Sequence, residues 1–110
     1  MEESLFQRVV VPVASREDAA ATTSALVSQV DAVDGTVIAV HVIEKANGAL
    51  DKASIEQREQ DTVAIFDIVQ GELAHTEIPL ETRVLYGTDV AATIIDAARE
   101  VDATAIMFTP

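Results

Sequence analysis

Three observations predict an open, parallel α/β sheet in the order β-α-β-α-β-α-β. Short, nearly continuous apolar and β-branched runs recur at residues 8–13, 36–43 and 103–108, as expected of strands buried on both faces. Between them lie stretches with apolar residues three and four apart, long enough to form helical crossovers. The 110 residues are 49% hydrophobic and 24% charged, which fits one soluble domain. With no cysteine, disulfides, thiolate metal sites and cysteine catalysis are excluded.

The first strand is Arg8 to Val13 (RVVVPV). Ser15-Arg16-Glu17-Asp18 then reads as a helix start, with Ser15 accepting an orphan N–H and acids at the positive end of the helix. Ala19, Thr23, Leu26, Val30 and Val33 form one face, and Asp34-Gly35 closes the helix, with Gly expected to take the left-handed conformation. Thr36 to Ile43 (TVIAVHVI) is the second strand, which makes a right-handed βαβ unit. Asn47-Gly48 marks a loop. Ile55, Thr62, Phe66, Val69 and Leu73 trace a second helix that runs to about His75 and is weakened by Gly71. After Pro79, Leu80, Thr82, Val84 and Tyr86 alternate with Glu81, Arg83 and Leu85, the pattern of a strand at a sheet edge. Gly87-Thr88-Asp89 turns into a third helix with a face of Val90, Ile94, Ala97 and Val101, and Ala103 to Phe108 (ATAIMF) is the fourth strand.

Seven Lys and Arg stand against 19 Asp and Glu, a formal net charge of −12. The basic residues are scattered and aromatics make up only 4%, so neither a phosphate-neutralising stripe nor a base-stacking platform forms, and nucleic acid is excluded as a partner. The acids alternate with apolar segments throughout, which points to a solvated acidic shell. Such a shell suits a halophilic protein, where concentrated salt screens self-repulsion; the other reading is an ordinary acidic cytosolic protein. No apolar run spans a bilayer, and Met1 to Leu5 lacks the basic and apolar regions of a signal peptide. The expectation is a cytoplasmic protein with no membrane partner.

Little in the chain suggests catalysis. In open parallel sheets ligands bind beyond the carboxyl ends of the strands, where strand order reverses. The residues there are Val13-Ala14-Ser15, Ile43-Glu44, Tyr86-Gly87 and Phe108-Thr109-Pro110. Ser15 lacks the G-x-S-x-G elbow of a nucleophile and reads as a helix cap, Arg16 as a solvated residue, and Glu56, Glu59 and Asp61 as a solvated helix face. Glu44 reads as an exposed loop acid, with a ribose contact as the alternative. His41 reads as a satisfied, half-buried strand residue and His75 as a surface residue at a helix end. No metal site and no catalytic nucleophile–base pair is expected.

Val9 to Val13, Val40-His41-Val42-Ile43-Glu44, and Gly87 opening a helix that leads to Asp102-Ala103-Thr104-Ala105-Ile106-Met107 occur in an order and spacing that resembles the universal stress proteins. These are UspA-like proteins with a Rossmann-like, adenine-nucleotide-hydrolase-like fold, and the resemblance covers nearly the whole chain. It implies strand order 3-2-1-4 here, with the family's last helix and fifth strand, its usual dimer edge, lacking. It also implies an adenine pocket at Pro12, Ala14 and Val42. Nucleotide-binding members carry Asp where this chain has Ala14, and a glycine-rich phosphate loop where it has Phe108-Thr109-Pro110. From these departures the expectation is a C-terminally truncated, non-enzymatic stress-response module with no cofactor. It acts as a homodimer through the exposed strand Thr104 to Phe108. The alternative is an adenine-nucleotide binder or weak ATPase, with ATP and Mg, whose site is completed by residues outside this chain.

Overall fold

β-branched runs and amphipathic segments alternate along the chain as expected, and the computed structural model folds them into β1 (Arg8–Pro12), α1 (Arg16–Ala32), β2 (Thr36–Glu44), α2 (Lys52–Leu73), β3 (Leu80–Gly87), α3 (Val90–Glu100) and β4 (Ala105–Ile106). The structure describes residues 5–44 and 52–108, with the side chains of α2 described from Glu56 onward. The Asn47-Gly48 loop and the side chain of Ile55 lie outside the described residues. All pairings are parallel and the strand order is β3-β2-β1-β4, as the sequence and the resemblance imply.

The central strands are buried on both faces, so their side chains build two cores by alternation. Val9, Val11, Val13, Val37 and Ala39 pack against Ala19, Leu26 and Val30 of α1 and Ile65, Val69 and Leu73 of α2. On the opposite face Val10, Ile38 and Val40 pack against Ala98 and the adjoining Val101 of α3, with Ile94 and Ile106 partly buried beside them. Two helices thus cover one face and a single helix covers the other.

Several details differ from the sequence reading. The left-handed residue that ends α1 is Asp34 (φ 53), not Gly35. Gly35 is required for space, because a Cβ there would collide with the Phe6 carbonyl oxygen. The Gly35 N–H donates to the Val30 carbonyl at 2.9 Å and the Asp34 N–H to the Asp31 carbonyl at 3.2 Å, which closes the helix end. The same motif ends α3: Asp102 has φ 54, and the Ala103 N–H donates to the Ala98 carbonyl at 2.9 Å. This turn takes up Asp102 and Ala103, so the fourth strand is Ala105–Ile106 rather than Ala103 to Phe108. The Thr104 N–H still bonds to the Arg8 carbonyl at 2.7 Å, and the Met107 N–H to the Val10 carbonyl at 2.9 Å. Helix α2 stops at Leu73, two residues before His75.

Candidate functional site

Strand order reverses between β1, which pairs with β2, and β4, so the carboxyl ends of these strands are where an α/β sheet of this kind binds ligands. The register places Pro12 beside Val40, so Val42 lies one same-face position further along β2. Both are half-buried, and Ala14 is exposed just past the strand. The three expected adenine-pocket positions therefore gather at one end of the sheet.

The turn from β1 into α1 is closed on itself. Ser15 caps the helix, its Oγ accepting the Asp18 N–H at 3.1 Å. One Asp18 carboxylate oxygen accepts the Ala14 N–H at 2.9 Å, and the other accepts the Thr22 hydroxyl at 3.1 Å. Helix N-termini and the loops before them hold anions through such backbone donors, and here the chain's own carboxylate occupies one of them. Any other anion at this N–H would have to displace the carboxylate, and the exposed Glu17 lies in the same first turn. The segment where the resemblance implies a phosphate loop, Phe108-Thr109-Pro110, is a different one, and its Thr109 and Pro110 lie outside the described residues. The sequence reading found the Ser15 cap and the acids of the first turn but missed the reach of Asp18 back to Ala14, for which the only signal is the three-residue spacing from Ser15.

His41 donates its Nδ1–H to the Val13 carbonyl at 2.6 Å, since a carbonyl can only accept, and so ties β2 to the end of β1. Arg16, at the start of α1, and His75, in the turn after α2, are both exposed. Among the described residues, no group of three or more His, Asp or Glu side chains could hold a metal ion.

Two grooves lie away from the carboxyl ends of the strands. One, of about 570 Å3, runs between α2 and β3 and is lined by Val63, Phe66, Leu73, Ile78, Leu80 and Thr82 among others. The second, of about 410 Å3, runs along α3 and β4 past Ile95, Ala98, Ala103 and Ile106. Neither is lined by Pro12, Ala14 or Val42.

Polar ties fasten the rims. The sequence reading takes Thr104 only as the start of an exposed strand, yet its Oγ accepts the Arg8 N–H at 2.9 Å and donates to the Leu5 carbonyl at 2.8 Å. Arg8 Nε donates to the Val101 carbonyl at 2.9 Å, a cation at the negative end of α3. Arg8 also pairs with Glu81 at 3.6 Å, and Arg83 with Glu100 at 3.9 Å. The Tyr86 hydroxyl donates to Glu59 at 2.7 Å, and this hydrogen bond, with lesser help from desolvation and the Glu59 charge, raises the Tyr86 pKa.

The model of the universal stress protein family matches residues 5–108. Three similar solved structures carry the same fold. A protein of that family from Burkholderia pseudomallei has a TM-score of 0.78 at 20% identity, over 98% of this chain and 85% of that one. A universal stress protein described in complex with cAMP has a TM-score of 0.72 at 16% identity, over 96% and 77%. One from Archaeoglobus fulgidus has a TM-score of 0.69 at 21% identity, over 92% and 74%. At these identities the likeness establishes the fold alone. No curated protein matches the chain.

Proposed function

The chain belongs to the universal stress protein family, and on that premise we propose that it is a non-enzymatic stress-response module working through self-association and protein contacts. The observation that carries this reading is the Asp18 carboxylate on the Ala14 N–H, an internal anion at the switch point. Supporting it, the two grooves lie at the sheet's rims and not at its carboxyl end. The proposed partner is a second copy of the chain, and the segment Thr104 to Phe108, half-buried up to Met107 and ending in Phe108, which is 66% exposed, is one surface available to it.

A thermal melt with and without Mg-ATP, repeated with cAMP, tests the reading. A ligand at about 100 times its dissociation constant stabilises its protein by roughly 2.7 kcal/mol. The expected result is no shift with either nucleotide, and a clear shift with either one overturns the reading.

Nucleotide binding is the second reading. It is favoured by the similar structure described in complex with cAMP and by the placing of Pro12 and Val42 on one face at adjacent strand ends. The Asp18 carboxylate beside Ala14 opposes an anionic ligand at this end of the sheet, so an Asp18→Asn variant, with that charge gone, is expected to bind more tightly than the parent if this reading is right.

The acidic shell is proposed as an adaptation to a salt-rich cytoplasm. Among the described residues, no helix is long and apolar enough to cross a membrane. Screening predicts that the melting temperature rises steadily between about 0.1 M and about 3 M KCl. A flat response marks an ordinary acidic protein.

A further inference from the structure

Among the described residues the sheet has two edge strands of unequal length. At β4 the ladder offers two residues, Ala105–Ile106, whereas β3 offers eight, Leu80–Gly87. The Val37 N–H donates to the Pro79 carbonyl at 3.0 Å. In a parallel ladder the strand residues facing β2 are then 79, 81, 83 and 85, so the backbone groups of Leu80, Thr82, Val84 and Tyr86 face outward. Pro79, which has no N–H, lies on the inward side and leaves the outer edge intact.

We propose that β3 is the edge through which two copies of the chain associate, as antiparallel strands centred on Thr82. This rests on the self-association reading above and moves its principal contact from β4 to β3. Charge selects the register. With Thr82 on the two-fold axis, Glu81 of each copy stands opposite Arg83 of the other, and Leu80 opposite Val84. Centring on Glu81 or on Arg83 would set like charges against each other. Centring on Val84 would set Arg83 against Leu85 and leave Glu81 opposite Gly87, with neither charge paired. Directly opposed residues on one face of an antiparallel pair interact most strongly, so of these four registers only the Thr82 register satisfies every pair.

The surroundings match. Glu81 already pairs with Arg8, and Arg83 with Glu100. The two-fold therefore builds an alternating row of Arg8, Glu81, the second copy's Arg83 and the second copy's Glu100. On the other face Val84, which is 38% exposed, faces the second copy's Leu80, a wall of the groove that also holds the exposed Val63. The contact thus covers apolar surface as well as an open strand.

The test uses Glu81→Arg and Arg83→Glu, separately and mixed, with association measured by analytical ultracentrifugation at the lowest KCl concentration that keeps each chain folded by circular dichroism. In the proposed register each single variant opposes like charges twice per dimer and is expected to associate about ten- to a hundredfold more weakly. Mixing the two variants sets a chain that is basic at both positions against one that is acidic at both, and is expected to restore a heterodimer. Single variants that weaken without recovery on mixing overturn the register. A parent that associates but is insensitive to both changes, and is dissociated instead by Phe108→Glu, overturns the β3 edge and leaves self-association standing. A monomeric parent at about 100 μM overturns both.

Discussion

The two faces of the sheet are built differently. On the side of α1 and α2, Leu26 and Val30 of the first helix and Val69 of the second are fully buried against the strands and join one continuous core. On the α3 side one helix of eleven residues covers the strands, Val90 and Ile95 remain exposed, and Arg8, Glu81, Arg83 and Glu100 form ion pairs along the rim. Burial dominates folding free energy, so the first side carries most of the stability. The second side is free to carry recognition, because exposed apolar and charged groups contribute little to folding but much to the choice of partner.

Paired truncations should expose that asymmetry most strongly. Leu26→Ala removes a fully buried side chain from the two-helix side and is expected to cost about 3 kcal/mol in a urea titration. Ile94→Ala, which removes a half-buried residue of α3, is expected to cost about 1 kcal/mol. Equal losses would show that the single helix contributes as much as the pair.

Glycine substitutions sharpen the same contrast. At Gly35 a Cβ would strike the Phe6 carbonyl oxygen and lie 3.1 Å from Val30 Cγ1, groups fixed by the larger core. Gly35→Ala is expected to cost about 2–3 kcal/mol. At Gly87 the Cβ would meet only the Thr93 side chain, which can rotate at the expense of its 2.7 Å hydrogen bond to the Asp89 carbonyl. Gly87→Ala is expected to cost about 1 kcal/mol, and less again in a Thr93→Ala background. A Gly87→Ala cost that is unchanged in that background would mean that backbone, not the Thr93 side chain, resists the added Cβ.

Much of this architecture was legible in the sequence because its signals are local. The runs RVVVPV and TVIAVHVI announce strands buried on both faces, and the alternation of Glu81 and Arg83 with Leu80, Thr82 and Val84 marks β3 as an edge before any pairing is known. The family followed from the order of these segments. What was not legible depends on the meeting of distant residues. Nothing around Thr104 shows that its hydroxyl will lie against Leu5 and Arg8, nearly a full chain length away. Asp34-Gly35 was read correctly as a helix end, but which residue turns left-handed depended on Phe6, which leaves no room for a side chain at 35. At the candidate site, the positions of Pro12, Ala14 and Val42 came from the resemblance, whereas the Asp18 bond to Ala14 needed the three-dimensional turn.

Asp34 ends a helix of the two-helix side and Asp102 ends the helix of the other, both in the left-handed region that glycine adopts without strain. Both also place a negative charge at a negative helix end. Asp34→Gly and Asp102→Gly are each expected to stabilise the fold by about 0.5–1 kcal/mol, seen as a raised melting temperature. Similar gains would show that helix termination is a local property, independent of which core the helix serves; a gain at one position alone would tie it to the packing beneath.

The finest probe is Tyr86, at the open rim of the two-helix side and the only tyrosine in a chain without tryptophan, so its ionisation can be followed by absorbance without interference. The hydrogen bond to Glu59 raises its pKa above 10.0 because the neutral phenol donates the proton that the bond requires. A raised pKa means that the folded state holds this proton more tightly than the unfolded chain. The tie between β3 and α2 therefore contributes fully below the unfolded value and is lost as pH rises through the folded one. Glu59→Ala should bring the titration midpoint down towards the ordinary tyrosine value while leaving the fold intact at neutral pH, because both side chains are solvent-exposed. If the midpoint does not move, α2 and β3 are not joined at this rim, and the firm side of the sheet stops short of its open edge.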